Sequence, residues 1–220
     1  MNSAPAGKTA LLLGATGLVG TACLGLLLAD ATYARVRVLV RRPFPDPPVS
    51  PLLEIHEVDF ANPDTYTRLT GVDYVYCAIG TTIKQARTHE AFRWVDLEIP
   101  LKVATLARER GAAHFLLVSA IGATPRARTF YSRVKGELEE ALRDLHYPSL
   151  TVVRPSLLLG HRAEWRTAEK VGALATPFVP ARWKPVQAYR VAEALVAAGR
   201  DDHPGIRYIE NIELHRQRGS

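Results

Sequence analysis

The stretch KTALLLGATGLVG, residues 8–20, joins a run of apolar residues directly to a glycine-rich turn. The apolar run is continuous rather than alternating, which is typical of a strand buried on both faces of a parallel sheet. The residues after the turn have the apolar spacing of a helix. We therefore predict a strand over residues 8–14 and a helix over residues 18–30.

The spacing of the three glycines in this turn indicates a dinucleotide-binding site. Gly14 permits the tight turn, Gly17 lets the backbone approach a pyrophosphate, and Gly20 lets the helix pack closely on the sheet. Free N–H groups and the dipole at the helix start attract the anion. The alternative is that the glycines only make a tight connection. The predicted cofactor-binding residues of this turn are Gly14, Thr16, Gly17, Leu18, Val19 and Gly20.

The second predicted strand, residues 35–41, ends in two arginines, Arg41 and Arg42. An NAD-preferring site usually has an acidic residue there, whereas guanidinium groups bind the 2′-phosphate of NADP. The pair therefore predicts NADP(H), the alternative being a solvated strand end. Asp59, after the third strand, is a candidate acceptor for the adenine amino group, and a helix N-cap at Asp59 or Asn62 is the alternative.

Strands and helices alternate along the rest of the chain. Further strands are predicted at residues 54–59, 72–79, 115–119, 150–154 and 206–212, and further helices at residues 88–110, 129–145 and 189–199. This alternation predicts an α/β protein with a three-layer Rossmann fold, a doubly wound parallel sheet in a single domain. We expect a flexible N-terminus over residues 1–7 and an NAD(P)-binding domain over residues 8–220, with a small substrate-covering part from about residue 155 to residue 220.

Two segments break the pattern because they are rich in proline. Residues 42–51 contain five prolines and connect two strands. Residues 161–185 contain three prolines and two of the three tryptophans, and are long enough to cover a ligand beyond the carboxyl ends of the strands.

The composition excludes several classes of protein. Hydrophobic residues make up 47% and charged residues 23% of the 220 residues, the proportions of a globular domain, and no apolar run reaches the roughly 18 residues of a membrane-spanning helix. The N-terminus has no signal-peptide pattern, so we expect a cytoplasmic protein. The two cysteines and seven histidines lack metal-binding spacing, so no metal is expected.

The net charge of +6 reflects 22 arginines among 28 basic residues. Arginine favours bidentate contacts with phosphate or carboxylate. The arginines are scattered, without a basic run or interleaved aromatic residues, so an anionic small molecule is a better prediction than nucleic acid. No membrane partner is expected. Glu137, Glu139 and Glu140 are predicted to form surface helix pairs with Arg143.

A candidate acid–base pair lies on the helix predicted at residues 129–145. Tyr131 and Lys135 are four residues apart, so their side chains share one face of the helix. A nearby ammonium stabilises a tyrosinate, which lets the phenol protonate a developing alkoxide. Ser119 ends the strand before this helix, and its hydroxyl is a candidate to orient a substrate carbonyl, a helix or turn cap being the alternative.

Six motifs carry a resemblance to a known family. They are the glycine turn, CAIGTT at residues 77–82, EAFRWVD at residues 90–96, Ser119, YSRVKGE at residues 131–137 and VRP at residues 153–155. Over roughly residues 8–200 the chain resembles an atypical short-chain dehydrogenase/reductase. More narrowly, it resembles bacterial relatives of the human Tat-interacting metastasis-suppressor protein, in the nucleoside-diphosphate-sugar epimerase-like group.

The resemblance implies a Rossmann core that binds NADP(H), with the family's Ser, Tyr and Lys at Ser119, Tyr131 and Lys135. Lys135 would also bind the nicotinamide ribose. Further positions that the resemblance places along the cofactor are Ala78, Gly80 and Thr81 beyond the fourth strand, with Arg154 and Pro155 at the nicotinamide and substrate end.

Two features depart from the family pattern. Ala120 stands where many extended members have a second Ser or Thr after the first at the end of strand five. Only about 65 residues follow Pro155, where sugar-nucleotide epimerases usually carry a larger substrate domain.

The sequence therefore predicts an NADP(H)-dependent oxidoreductase that transfers hydride between nicotinamide and a carbonyl or hydroxyl of an unidentified small substrate, with Tyr131 as acid or base. Two alternatives stay open: a non-catalytic NADP(H)-binding sensor and a nucleotide-sugar epimerase-like enzyme. The helices at residues 88–110 and 129–145 are the candidate face of a homodimer.

Overall fold

The computed structural model describes residues 7–160 and 180–216 of the chain. The strands are β1 (Lys8–Leu13), β2 (Tyr33–Val40), β3 (Leu53–Glu57), β4 (Tyr74–Cys77), β5 (His114–Val118), β6 (Ser149–Arg154), β7 (Leu158–Leu159), β8 (Val186–Gln187) and β9 (Gly205–Glu210). The α-helices are α1 (Leu18–Leu28), α2 (Ile83–Ala86), α3 (His89–Arg93), α4 (Ile99–Glu109), α5 (Phe130–Asp144), α6 (Ala188–Asp201) and α7 (Asn211–Arg216). A π-helical turn, Trp94–Glu98, joins α3 to α4.

Seven strands form one parallel sheet in the order β3-β2-β1-β4-β5-β6-β9. The chain runs outward from β1 to β2 and β3, then crosses back to β4 on the other side of β1. Leu13, the last residue of β1, lies between Leu39 of β2 and Cys77 of β4. Ligands of open α/β sheets bind beyond the carboxyl ends of the strands at such a reversal. The topology therefore places the candidate site after Leu13 and Cys77.

Helices cover both faces of this sheet, and the alternation of side chains along each strand divides the core into two clusters. Ala10 and Leu12 of β1 face the layer that contains α1 and α6. Leu11 and Leu13 face the layer that contains α4 and α5. All four side chains are fully buried, which explains why the first strand is an unbroken apolar run.

The predicted fold class is confirmed, and each predicted strand and helix has an observed counterpart. One helix differs, because the π-helical turn interrupts the helix predicted over residues 88–110. In the part of the chain that the structure describes, no helix is long and apolar enough to cross a membrane.

The prediction for the last strand is wrong at its end, because β9 stops at Glu210 and Asn211 begins α7. The buried side chain of Asn211 accepts the N–H of Ser156 and donates to the carbonyls of Arg182 and Lys184. These three hydrogen bonds tie the residues just before β7 and just before β8 to the end of the sheet, and they favour the helical start over a longer strand.

A polar cluster closes the amino end of the sheet, opposite the candidate site. The buried His114 ring lies with Nε2 2.9 Å from Oγ1 of Thr151 and Nδ1 3.2 Å from Oδ1 of Asp202. Asp202 also accepts the Tyr74 hydroxyl and pairs with Lys8 at 3.3 Å. Burial lowers the pKa of His114 to about 4, because the nearby Asp202 only partly replaces the hydration of the imidazolium.

The lowered pKa of His114 is expected to make the fold less stable in mild acid. The unfolded chain binds this proton near pH 6.5 and the folded chain only near pH 4. The contribution of His114 to the free energy of unfolding is therefore complete above pH 6.5 and is lost as the pH falls to 4. Across this window, the natural chain should lose up to about 3 kcal/mol more unfolding free energy than His114→Gln, as measured by urea denaturation. His203→Gln, at an exposed position, is the control for loss of one histidine. Equal pH slopes for the natural chain and His114→Gln contradict the prediction.

Gly20 and Gly25 both lie in α1 but have opposite surroundings, which gives a matched test of the turn. A Cβ at Gly20 would lie 1.9 Å from the carbonyl oxygen of Gly14, whereas a Cβ at Gly25 would enter open space. Gly20→Ala should lower the melting temperature by about 3–10 °C through overpacking. Gly25→Ala should raise it by about 1–3 °C because alanine favours a helix interior. Thermal unfolding followed by circular dichroism tests both predictions. An unchanged melting temperature of Gly20→Ala contradicts the close approach of Gly20 to the carbonyl oxygen of Gly14.

Candidate functional site

The glycine turn connects β1 to α1 at the reversal of the strand order. Gly14 has a φ of +83°, and a Cβ there would lie 2.6 Å from the backbone of Ala78, at the end of β4. The N–H of Gly17 donates to the carbonyl of Gly14 at 2.9 Å, which closes the turn. Gly17 is the N-cap of α1, and as a glycine it has no side chain to cap the first helical N–H groups. Uncapped N–H groups behind a glycine turn fit a pyrophosphate.

Arg41 and Arg42 follow the last residue of β2 and are both exposed. They lie one strand away from the glycine turn, at the same carboxyl edge of the sheet. Asp59 is also exposed, and its Oδ1 accepts the N–H of Ala61 at 2.9 Å. Asn62 takes the capping role, since its side chain accepts a backbone N–H at the start of the following 3-10 turn.

A buried ion pair lies beyond the end of β4. The Lys135 Nζ lies 2.8 Å from Oδ1 of Asp96, and these side chains are 4% and 0% exposed. The other carboxylate oxygen, Oδ2, accepts the N–H of Thr81 at 2.8 Å. A Cβ at Gly80 would lie 3.3 Å from Oδ1 of Asp96 and 3.7 Å from Nζ of Lys135, so the glycine lets the loop lie directly against the pair. Three of the predicted site residues, Gly80, Thr81 and Lys135, therefore meet at this point.

Asp96 owes its position to Pro100. In an α-helix the N–H of residue 100 would bond to the carbonyl of Asp96, but proline has no N–H and its ring collides with that carbonyl. The helix widens instead, and the N–H of Ile99 donates to the carbonyl of Trp94, five residues earlier. Such single π-helical turns occur frequently at functional sites.

Tyr131 lies one helical turn before Lys135 on α5, as predicted. Its ring packs edge-on against Phe92 with the centroids 5.7 Å apart. Thr129 caps the helix by accepting the N–H of Ser132. Burial acts to lower the pKa of Lys135, but Asp96 beside it and the nearby Tyr131 outweigh burial, so the pKa is raised and the side chain is an ammonium.

Ser119 and Arg154 belong to a separate polar network. The buried Ser119 hydroxyl donates to Oε1 of Glu139, and the Arg154 guanidinium bonds to both oxygens of Glu139. Arg154 also pairs with Glu210 at 3.1 Å and lies over the ring of Tyr208. The network joins the ends of β5, β6 and β9 to α5. Pro155, the next residue, is buried, and its carbonyl accepts the N–H of Ile121 at 2.8 Å.

The interpretation of Glu139 as a surface residue is wrong, since its side chain is 3% exposed. Glu137 pairs with Arg93 at 2.6 Å rather than with Arg143. Sequence reasoning also gave no role to Asp96. One signal was available for Glu139, which lies four residues after Lys135 and therefore on the same stripe of α5.

The covering segment predicted at residues 161–185 lies mostly outside the described residues, which resume at residue 180. The parallel pair of β7 and β8 flanks it. Arg182 and Trp183 are exposed, with the guanidinium 5.7 Å from the ring centroid. The role of this segment stays a prediction.

Comparison with known proteins supports the dinucleotide interpretation of the glycine turn. A family model described as NAD(P)H-binding matches residues 14–202. "Protein FMP52, mitochondrial" from Eremothecium gossypii is 32% identical over 214 residues, which cover 93% of this chain and 95% of that protein. "Protein HTATIP2" from Rattus norvegicus is 32% identical over 179 residues, which cover 80% of this chain and 73% of that protein.

Solved structures share the fold at lower sequence identity. The crystal structure of gox2253 superposes with a TM-score of 0.71 at 23% identity, covering 92% of this chain and 69% of that one. MoeE5 in complex with UDP-glucose and NAD gives a TM-score of 0.72 at 14% identity, covering 91% of this chain and 74% of that one. These likenesses confirm the Rossmann-like α/β fold.

The expectation of a cytoplasmic protein is contradicted by the relatives. The similar proteins from Eremothecium gossypii and Coccidioides immitis are both named as mitochondrial. The lack of a signal-peptide pattern is therefore no basis for a cytoplasmic assignment.

The family match begins at Gly14 and spans the strand reversal, the π-helical turn, α5 and α6. Its extent, together with two relatives above 30% identity over most of their length, shows the family. The chain belongs to the NAD(P)H-binding family.

Proposed function

We propose that the protein is an NADP(H)-dependent oxidoreductase acting on a carbonyl or hydroxyl group of a small substrate, with Tyr131 as the acid or base. One observation carries the proposal. The buried Lys135 ammonium lies against the Gly80 loop at the carboxyl edge of the sheet, on the same face of α5 as Tyr131 and one turn away from it. The glycine turn, with Gly17 as the N-cap of α1, lies at this same edge.

The choice of NADP(H) over NAD(H) rests on Arg41 and Arg42. Both guanidinium groups are exposed beside the glycine turn, so they are free to bind a 2′-phosphate in bidentate fashion. The residue at the end of β2 that would bind ribose hydroxyls in an NAD-preferring site is basic here, not acidic. The bound cofactor supplies or accepts the hydride.

Tyr131 is the residue that exchanges a proton with the substrate oxygen. Its ring is fixed against Phe92, so the phenol is held at a constant place on α5. Lys135 one turn later places a buried ammonium on the same face of α5, where it is available to a proton-transferring phenol and to the cofactor. Ser119 and Arg154 act in this proposal as positioning residues, since their polar groups are engaged by Glu139.

One observation favours the second candidate, a non-catalytic NADP(H)-binding module. Ser119, the predicted partner of the substrate carbonyl, donates its hydroxyl to Glu139, and Ala120 follows it in place of a second hydroxyl. A module of this kind needs the glycine turn and the two arginines but not Tyr131. The two candidates therefore agree on cofactor binding and differ on turnover.

Replacing both arginines, Arg41→Ala with Arg42→Ala, should weaken NADPH binding by roughly 10- to 100-fold, because charge-assisted hydrogen bonds to the 2′-phosphate are lost. NADH affinity should change little, since NADH has no 2′-phosphate. Fluorescence titration of the reduced nicotinamide measures both affinities.

The matched control for this loss of two positive charges is Arg110→Ala with Arg143→Ala. Both residues are exposed and lie near the carboxyl ends of α4 and α5, at the opposite edge of the sheet. The control should leave NADPH affinity within about threefold, because screening weakens charge effects at that distance. Equal losses of NADPH and NADH affinity in the Arg41 and Arg42 variant would show that the pair does not bind the 2′-phosphate.

Tyr131→Phe should lower turnover by at least about 100-fold while NADPH affinity stays within about threefold, because only the proton-transferring hydroxyl is removed. The ring keeps its packing against Phe92, so the fold is preserved. A panel of aldehydes, ketones and quinones with NADPH provides the assay. Unchanged turnover in Tyr131→Phe removes Tyr131 from the mechanism, whereas NADPH binding by the natural chain without turnover on any panel member favours the non-catalytic module.

A further inference from the structure

We propose that Asp96 is a further positioning residue of this site, and that its carboxylate holds the Lys135 ammonium and the Thr81 backbone in the arrangement that receives the nicotinamide half of the cofactor. The inference rests on the proposed NADP(H) site. It adds a residue on which the function of Lys135 depends and to which the motifs gave no role.

The contacts of Asp96 join three elements. Its Oδ2 accepts the N–H of Thr81 in the loop after β4, and its Oδ1 lies 2.8 Å from Nζ of Lys135 on α5. Asp96 itself lies in the π-helical turn that Pro100 imposes. The carboxylate is fully buried, so it acts on a ligand through Thr81 and Lys135 rather than by touching the ligand.

The surroundings of Lys135 give Asp96 an electrostatic role as well as a geometric one. The titratable groups that face the ammonium are Asp96 from the π-helical turn, Tyr131 from α5 and Cys77 from β4. Burial raises the pKa of the Cys77 thiol to about 12, so this neighbour is neutral. Asp96 is therefore the carboxylate that balances the Lys135 charge within the described residues.

Removal of the carboxylate leaves an ammonium buried without an anion, which is strongly unfavourable. The ammonium then loses its proton at a lower pH, because burial is no longer opposed by a negative charge. A neutral amine forms weaker hydrogen bonds to hydroxyl groups than an ammonium does, and it places no positive charge near Tyr131. The effect of the substitution should thus depend on pH, whereas a purely mechanical tether would not.

A second ion pair provides a matched control for the mechanical role. Arg93 at the end of α3 pairs with Glu137 on α5 at 2.6 Å, two residues after Lys135. This pair also joins the α3 region to α5, but it is partly exposed and does not contact Lys135. Glu137→Gln therefore removes a link between the same elements without disturbing the buried pair.

The experiment compares Asp96→Asn, Glu137→Gln and the natural chain by titration with NADPH and with 2′,5′-ADP, which lacks the nicotinamide half. Asn keeps an acceptor for the Thr81 N–H and removes only the charge. At about pH 7 we expect NADPH affinity of Asp96→Asn to fall by roughly tenfold, and the loss to grow towards pH 10 as Lys135 loses its proton. Affinity for 2′,5′-ADP should stay within about threefold, and Glu137→Gln should behave as the natural chain.

A double variant, Asp96→Asn with Lys135→Gln, keeps the proposal testable where Asp96→Asn alone fails to fold. It removes both buried charges. Its melting temperature should therefore differ less from that of the natural chain than the melting temperature of Asp96→Asn does. Its NADPH affinity should be low and independent of pH.

Two results overturn the inference. In the first, the NADPH affinity of Asp96→Asn depends on pH in the same way as that of the natural chain. In the second, Asp96→Asn loses affinity for NADPH and for 2′,5′-ADP equally. Failure of the natural chain to bind NADPH is a different result, because it removes the proposed function on which the inference rests.

Discussion

The close approach of the β1 and β4 backbones at Gly14 and Ala78 is the constraint on which the candidate site depends. A side chain at Gly14 would begin 2.6 Å from the Ala78 backbone, and its φ of +83° is a conformation that other residues avoid. Because the two backbones meet there, the glycine turn and the loop after β4 lie side by side at the carboxyl ends of the strands. The turn offers N–H groups to an anion, and the loop carries Gly80 and Thr81 to Lys135.

Helix α5 supplies the second half of the site through a single stripe of side chains. Tyr131, Lys135 and Glu139 follow one another at intervals of four residues, and the last two, whose side chains are both buried, form ion pairs with Asp96 and Arg154. Buried ion pairs add little net stability, but the loss of one partner is costly, so each pair holds its elements in one relative position. The stripe is fixed at two points, one to the π-helical turn that contains Asp96 and one to the end of β6 at Arg154.

The sequence was sufficient for those features that depend on local patterns. The continuous apolar strands and the glycine turn predict the doubly wound sheet, and the four-residue spacing places Tyr131 and Lys135 on one face. The same spacing puts Glu139 on the stripe of Lys135, but the ion pairs that Asp96 and Glu139 form with Lys135 and Arg154 are long-range contacts, which no local pattern reports. Charged residues on a helix are usually solvated. Burial of these two carboxylates was therefore visible only once the helix was packed against the sheet.

In the proposed function, binding and chemistry are carried by different elements at the carboxyl ends of the strands. The β1 and β2 side, with the glycine turn and Arg41, selects the nucleotide. The β4 and α5 side, with Asp96, Lys135 and Tyr131, receives the nicotinamide half and moves the proton. The two halves are joined where β1 pairs with β4 and where Gly14 lies against Ala78, but Arg41 and Tyr131 lie on different elements, so a substitution at one need not disturb the other. Under this proposal, loss of the Tyr131 hydroxyl alone leaves nucleotide binding without turnover, whereas loss of the Asp96–Lys135 pair weakens the hold on the nicotinamide half as well.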